Sequence, residues 1–237
     1  MSAWLVDAGN TQLKLRQHLG AELPVAGPLT LPYADLPAWL DRAGGEARFV
    51  VACVGSPTRR TELAEALPAD TLWAATPAQG LGIRCSYADH RKWGVDRWLA
   101  LAAAHRLEPG PTAVIDIGTA TTVDLCDASG QHLGGWIAPG PKALIQALVS
   151  HTALPQAADD LPEVLDLASD TEAAILLGAL QSAVGGIAQA CAVAAAHGIP
   201  QAVLTGGGAP LLWKYLRDLP LRHQPDLVLD GLGMLAG

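Results

Sequence analysis

Asp7-Ala8-Gly9-Asn10-Thr11 and Asp116-Ile117-Gly118-Thr119-Ala120-Thr121-Thr122 set the same chemistry at two distant points of a 237-residue chain. Each offers a carboxylate, then a glycine two residues on, then small amide or hydroxyl side chains. Each follows a short apolar run, Trp4-Leu5-Val6 or Ala113-Val114-Ile115. Such a run stopped by a glycine turn reads as a buried strand, so both carboxylates sit where a strand leaves the core. Backbone N–H groups of Gly9, Asn10 and Thr11 suit phosphate oxygens. Asp7 suits Mg²⁺, which prefers oxygen ligands and keeps part of its water shell. A carboxylate at the end of a buried strand is costly unless paired or bound to a cation, and this applies to Asp116. Taken singly, Asp7-x-Gly9 reads first as an Asx turn closing a hairpin, and Thr121 and Thr122 as ordinary strand residues. Two copies at equivalent points instead suggest corners that hold a nucleotide phosphate, and hence phosphoryl transfer.

A third glycine corner, Thr205-Gly206-Gly207-Gly208-Ala209-Pro210, would let a flat adenine or ribose lie against bare backbone, or simply turn a strand into a helix. Gly94-Val95-Asp96-Arg97 is the catalytic candidate. An N-cap explains Asp96 by itself. It leaves unexplained Arg97 and the upstream polar cluster of Tyr87, Asp89, His90, Arg91 and Lys92, which reads as a pocket-forming loop. A histidine in such a loop is either a general acid–base or simply solvated, the commoner case. Trp136, in Gly134-Gly135-Trp136-Ile137-Ala138-Pro139-Gly140, marks a tight bend suited to lobe packing or a subunit contact.

The elements needed to position these groups are legible in outline. Strands are expected at 4–7, 12–18, 48–54, 71–75, 122–126, 132–137, 200–205 and 227–229. Helices are expected at 38–43 (with Asp35 as a cap), 58–67 (starting near Thr58 or Thr61), 96–105, 142–149, 172–196 and 211–216. A Pro-punctuated connection runs from Pro24 to Pro37, and 231–237 tails off. Strands alternating with helices, twice over, give an α/β chain with mixed sheets. The Glu108-Pro109-Gly110-Pro111 linker divides it into lobes 1–110 and 111–237.

Half of the residues are hydrophobic and the formal charge is −8. Arg59-Arg60 and Arg91-Lys92 are only pairs, so no basic stripe for nucleic acid is expected. The cysteines, Cys53, Cys85, Cys126 and Cys191, show no C-x-x-C pair, which points to reduced thiols rather than a disulfide or zinc framework. No secretory signal is seen, and the Ala/Val run near 188–196 is too short and broken to span a bilayer, so a cytoplasmic protein without membrane partners is expected.

In order along the chain, Asp7-x-Gly9-Asn10-Thr11, Gly94-x-Asp96-Arg97, Asp116-x-Gly118-Thr119-Ala120-x-Thr122, Gly134-Gly135-x-Ile137-x-Pro139-Gly140, Thr171 before a long helix and Thr205-Gly206-Gly207 make a set that resembles the type III pantothenate kinases. These belong to the acetate kinase/Hsp70/actin superfamily. The resemblance covers nearly the whole chain, with one departure: His90 and Trp93 stand where the family has Pro and Leu. It implies a two-lobed, actin-like ATPase fold of duplicated ribonuclease H-like lobes, each a mixed sheet with flanking helices. It implies ATP-dependent phosphorylation of pantothenate to 4′-phosphopantothenate, the first step towards coenzyme A. Asp7, Ala8, Gly9, Asn10, Thr11, Gln12, Leu13, Lys14 and Thr119 would then bind ATP, with Asp7 near Mg²⁺. Asp116 would bind K⁺ or NH₄⁺. Tyr87, Gly94, Val95, Asp96, Arg97 and Thr171 would bind pantothenate, with Asp96 as the base. A homodimer would complete the pocket at its interface. Another small-molecule kinase of the superfamily, or a nucleotide-binding regulator without catalysis, are the competing readings.

Overall fold

The computed structural model describes residues 3–20, 27–43 and 47–237, so the first part of the Pro24–Pro37 connection lies outside the described residues. The chain forms two compact units. The first comprises Met1–Gly110, Ala128–His132 and Asp226–Gly237, and the second Pro111–Asp127 and Leu133–Pro225.

In the first unit the apolar run becomes β1 (Ala3–Ala8), in which Leu5, Val6 and Ala8 are buried. β2 (Leu13–His18) and β3 (Leu29–Leu31) follow it. A 3₁₀ turn at Tyr33–Asp35 leads into α1 (Leu36–Ala43), so Asp35 belongs to the turn. β4 (Arg48–Cys53) and α2 (Pro57–Ala66) come next. Ser56 caps α2 by accepting from the Arg59 N–H, and Thr58 and Thr61 lie inside the helix. β5 (Leu72–Trp73), the small hairpin β6 (Gln79–Gly80) and β7 (Ile83–Arg84), and α3 (Val95–Leu107) complete this part. The sheet order is β3-β2-β1-β4-β5. β1 pairs antiparallel with β2 and parallel with β4.

The second unit repeats the scheme with β8 (Thr112–Ile117), β9 (Ala120–Cys126), β10 (His132–Pro139), α4 (Pro141–His151), α5 (Thr171–Ala196), β11 (Ala202–Thr205), α6 (Ala209–Leu212) and β12 (Leu221–His223). Its order, β10-β9-β8-β11-β12, matches the first sheet position for position. β8 is again antiparallel to the strand that follows it and parallel to its neighbour on the other side, β11. This is the duplicated mixed-sheet, ribonuclease H-like arrangement expected from the sequence.

The C-terminal segment departs from expectation. Residues 227–229 are not a strand but the start of α7 (Leu227–Ala236), and this helix belongs to the first unit rather than the second. Leu227, Leu229 and Leu232 are fully buried. Gly231 lets the α7 backbone approach α3 closely, since a Cβ there would lie 2.5 Å from the Leu99 carbonyl oxygen. A run of three apolar residues fits either a strand or one turn of a buried helix, and packing chose the helix.

α5 is a single 26-residue helix despite Gly185-Gly186, and by length and composition it is long and apolar enough to cross a membrane. That corrects the expectation of a run too short for this. Its buried stripe, including Ile175, Leu180, Ile187 and Ala194, packs instead with Ile115, Ile117, Val123 and Leu204 of the second sheet.

Candidate active site

The first corner closes tightly. The Gly9 N–H donates to the Gln12 carbonyl at 3.2 Å, and Asp7 lies in β1 opposite Lys14 of β2 and Ala52 of β4. Asn10, Thr11 and Gln12 are exposed at the turn. Ala8 and Leu13 are fully buried, so of the expected ATP-binding run these two can offer only backbone. The turn is anchored by Tyr33, whose hydroxyl donates to the Gly9 carbonyl at 2.5 Å. Burial pushes the Tyr33 phenol up to about 12, with Cys53 and Asp7 adding to the rise and the Arg59 guanidinium, 4.5 Å over the ring, opposing it. The Lys14 ammonium lies 3.8 Å from the carboxylate of Asp226, and Arg16 donates to Asp230 at 2.7 Å, so two cations of β2 bind the start of α7. Neither Tyr33 nor Asp226 carried any local signal in the sequence, because each meets the corner through tertiary contact.

The pocket-forming loop is more ordered than a polar cluster suggests. Asp89 and Arg91 neutralise one another through two hydrogen bonds of 2.8 and 3.1 Å. That pairing holds the Asp89 carboxyl below its usual range. His90 is half-buried rather than simply solvated. Its Nδ1 lies 2.7 Å from the Thr76 carbonyl, which can only accept, so Nδ1 carries the proton. Thr76 returns the tie by donating to the Trp93 carbonyl at 2.8 Å.

Gly94 stands at the N-cap of α3. Asp96 lies in the first turn, and its carboxylate accepts the Arg97 N–H at 2.8 Å. The positive end of the α3 dipole therefore favours Asp96 as an anion. The Asp96 side chain folds back over Gly94, where a Cβ would meet Oδ1 at 2.5 Å. Arg97 is 6 % exposed, and its guanidinium donates to the Tyr87 hydroxyl at 3.3 Å. Tyr87, Gly94, Asp96 and Arg97 thus converge, while the Val95 side chain is buried.

In the second unit, Asp116 pairs in register with Thr122 on β9 and Thr205 on β11. Gly206 has φ +93°, and a Cβ there would lie 2.2 Å from Asp116 Oδ1, so the carboxylate rests on bare backbone. The Gly208 N–H donates to the Ile117 carbonyl at 2.8 Å, and the Gly140 N–H to the Thr119 carbonyl at 3.0 Å. Three glycine corners therefore meet at the end of β8: Gly118, Gly140 and Gly206–Gly208. This gathers the second and third sequence corners and adds Pro139-Gly140 at the end of β10, which runs as a strand through Gly134–Ala138 where a tight bend was expected. One carboxylate amid hydroxyls and carbonyls fits a cation that takes oxygen ligands. Among the described residues no group of three His, Cys, Asp or Glu side chains could hold a metal.

Thr171 is the first residue of α5 and exposed. The cap is Asp170, which accepts the Ala173 N–H at 2.8 Å. A mainly apolar cavity of about 180 Å³ lies in this unit between Trp136 and Pro139 of β10, Leu144 of α4 and Ala183 and Ile187 of α5. No ionisable side chain lines it.

The sequence model of the type III pantothenate kinase family matches residues 4–193. A type III pantothenate kinase of Nitrosococcus oceani is 36% identical over 249 residues, covering 98% of this chain and 92% of that relative. Among solved structures, a 2-dehydro-3-deoxygalactonokinase-type protein from Sinorhizobium meliloti superposes with a TM-score of 0.61 at 15% identity, covering 99% of this chain and 95% of its own. A conserved Baf family protein from Campylobacter jejuni superposes with a TM-score of 0.59 at 20% identity, covering 98% of this chain and 96% of its own. At such identities these two share the fold.

Proposed function

The chain belongs to the type III pantothenate kinase family, and from that premise we propose the following assignment of its residues to the reaction. The protein transfers the γ-phosphoryl group of ATP to pantothenate, giving 4′-phosphopantothenate and ADP at the start of coenzyme A synthesis. Asp96 accepts the proton of the pantothenate hydroxyl as its oxygen attacks phosphorus in line and the bond to the ADP oxygen breaks. The observation that carries this is the carboxylate of Asp96, fixed at the N-terminus of α3 beside the Arg97–Tyr87 hydrogen bond. Little covalent chemistry falls to the protein in such a transfer, and positioning with charge neutralisation does most of it.

Tyr87, Gly94, Val95, Asp96 and Arg97 form the pantothenate end, Val95 through its backbone. Gly9 to Lys14 hold the ATP phosphates, with Ala8 and Leu13 contributing backbone only, and Thr119 touches ATP. Asp7 would hold Mg²⁺, which supplies neutralisation of phosphate charge. Asp116 would hold K⁺ or NH₄⁺, and its setting between Thr122, Thr205 and Gly206 supports this. The active form is a homodimer in which Thr171 reaches the partner's pantothenate. Exposed Leu133, Trp136, Ile137 and Leu148, together with the small-residue face of α5 at Gly178, Ser182 and Gly185, support an apolar contact of that kind.

The test is ADP release with pantothenate, ATP and Mg²⁺, in potassium-free buffer and then with KCl added. Pantothenate-dependent turnover that rises with KCl, and an Asp116→Ala variant that no longer responds, are expected. Turnover on other small alcohols but not pantothenate would favour a different kinase of the superfamily.

A further inference from the structure

We propose that His132 is a positioning residue for the pantothenate end of the site; this rests on the reading of Tyr87 and Gly94–Arg97 as that end. His132 is 1 % exposed, yet it comes from a part of the chain 35 residues or more beyond the loop it meets. Its ring lies flat on Trp93, with centroids 4.0 Å apart and planes 10° from parallel. The Tyr87 ring lies 5.9 Å from His132 at 28° and 6.2 Å from Trp93 at 27°. The three rings form one near-parallel cluster.

Each member of this cluster adjoins a group assigned to the substrate. The Tyr87 hydroxyl accepts from Arg97. Trp93 directly precedes Gly94, against which Asp96 folds. His132 Nδ1 lies 3.0 Å from the hydroxyl of Ser86, which directly precedes Tyr87. One imidazole therefore braces both ends of the segment from Tyr87 to Gly94.

The brace is itself held. The Arg84 N–H donates to the Gly130 carbonyl at 2.9 Å, and the Gln131 side-chain amide donates to the Arg84 carbonyl at 3.3 Å. Gly130, at φ +77°, lies so close to Gly82 that a Cβ would fall 1.9 Å from its carbonyl oxygen. Residues 128–132 are thus clamped to β7, and the ring is presented to the loop from a fixed support. Small displacements of positioning groups cost rate and affinity steeply. Aromatic pairs contribute enough beyond burial to move an affinity by up to about tenfold.

The experiment compares His132→Leu, which removes the flat face, with His132→Phe, which keeps it. Ser86 is exposed, so water replaces its partner in either variant. Pantothenate KM, ATP KM and kcat are measured, with Tyr87→Phe in parallel. His132→Leu is expected to raise pantothenate KM by roughly tenfold, with ATP KM within about twofold. His132→Phe is expected to restore pantothenate KM to within about threefold of the parent. A merely structural role would move ATP KM together with pantothenate KM, and that result overturns the proposal. So does an unchanged pantothenate KM in His132→Leu, or a Phe variant as impaired as the Leu variant. If Tyr87→Phe also leaves pantothenate KM unchanged, the assignment of the pantothenate end fails and the role of His132 falls with it. If Tyr87→Phe raises it and His132→Leu does not, only the role of His132 fails.

Discussion

A methyl group at position 94 would sit 2.5 Å from Oδ1 of Asp96, so Gly94→Ala must push the carboxylate away from the place where Arg97 N–H holds it. Asp96→Asn keeps the shape and removes the basicity. It is expected to lower kcat by roughly 10²–10⁴-fold, a usual general-base contribution, with ATP KM largely kept. Steady-state kinetics with each substrate varied in turn check this, and unchanged kcat removes Asp96 from the mechanism. Tyr33 gives a residue-scale prediction in pH. Its phenol is raised from 10.0 to about 12 in the folded protein. The folded state therefore holds this proton more tightly than the unfolded chain does. The stability it contributes is full below pH 10 and is lost as pH rises from about 10 to about 12. In an absorbance titration of the three tyrosines, one phenol is expected to titrate near 12, and that step should vanish in Tyr33→Phe. If Tyr33→Phe leaves the late step in place, another tyrosine carries it. The same variant loosens the Gly9 carbonyl, so a few-fold rise in ATP KM is expected from loss of one hydrogen bond.

At the scale of elements, α7 is a buried member of the first unit, fixed by packing on α3 and by the pairs Lys14–Asp226 and Arg16–Asp230. Gly231→Ala forces a Cβ to within 2.5 Å of the Leu99 backbone, which cannot yield as a flexible side chain would. A loss of about 1–3 kcal/mol is expected, the usual cost of overpacking. Urea unfolding measures it, and an unchanged midpoint would show that α7 shifts freely on α3. The strands around the corners were legible because each is a short apolar run ended by glycine or proline. α7 was not, since three apolar residues carry no periodicity, and the packing that makes them helical comes from residues more than 120 positions earlier. The cap of α2 shows the same limit on a smaller scale. Ser56, Thr58 and Thr61 are all competent capping residues, and Pro57 at the first helical position fixes Ser56 as the one outside the helix.

For the whole molecule, the proposed homodimer makes a prediction that neither unit alone can. If Thr171 acts on the partner's pantothenate, Asp96→Asn and Thr171→Val damage the same site from different chains. Mixed after subunit exchange, the two variants should form heterodimers with one intact site, and recover activity that neither shows alone. No recovery, with exchange verified by labelled chains, would place Thr171 and Asp96 in the same chain's site. At this scale the repeated Asp-x-Gly corner was a sound guide, since both copies end the central strand of sheets with the same strand order. The linear division at residue 110 was not sufficient, because residues 128–132 and 226–237 pack with the first unit.

By itself the sequence determined the local chemistry: where strands end, which turns need glycine, and which carboxylates stand at those turns. These follow from hydrophobic periodicity and backbone sterics, which act over a few residues. The ordered set of motifs was also enough to indicate the family. Only the tertiary structure decided which distant groups complete each corner. Tyr33 under Gly9, Asp226 beside Lys14, Gly206 beneath Asp116 and His132 against Trp93 are separated in sequence by 24 to 212 residues. Such contacts are fixed by how buried surfaces fit together, and no local pattern of residue types encodes that.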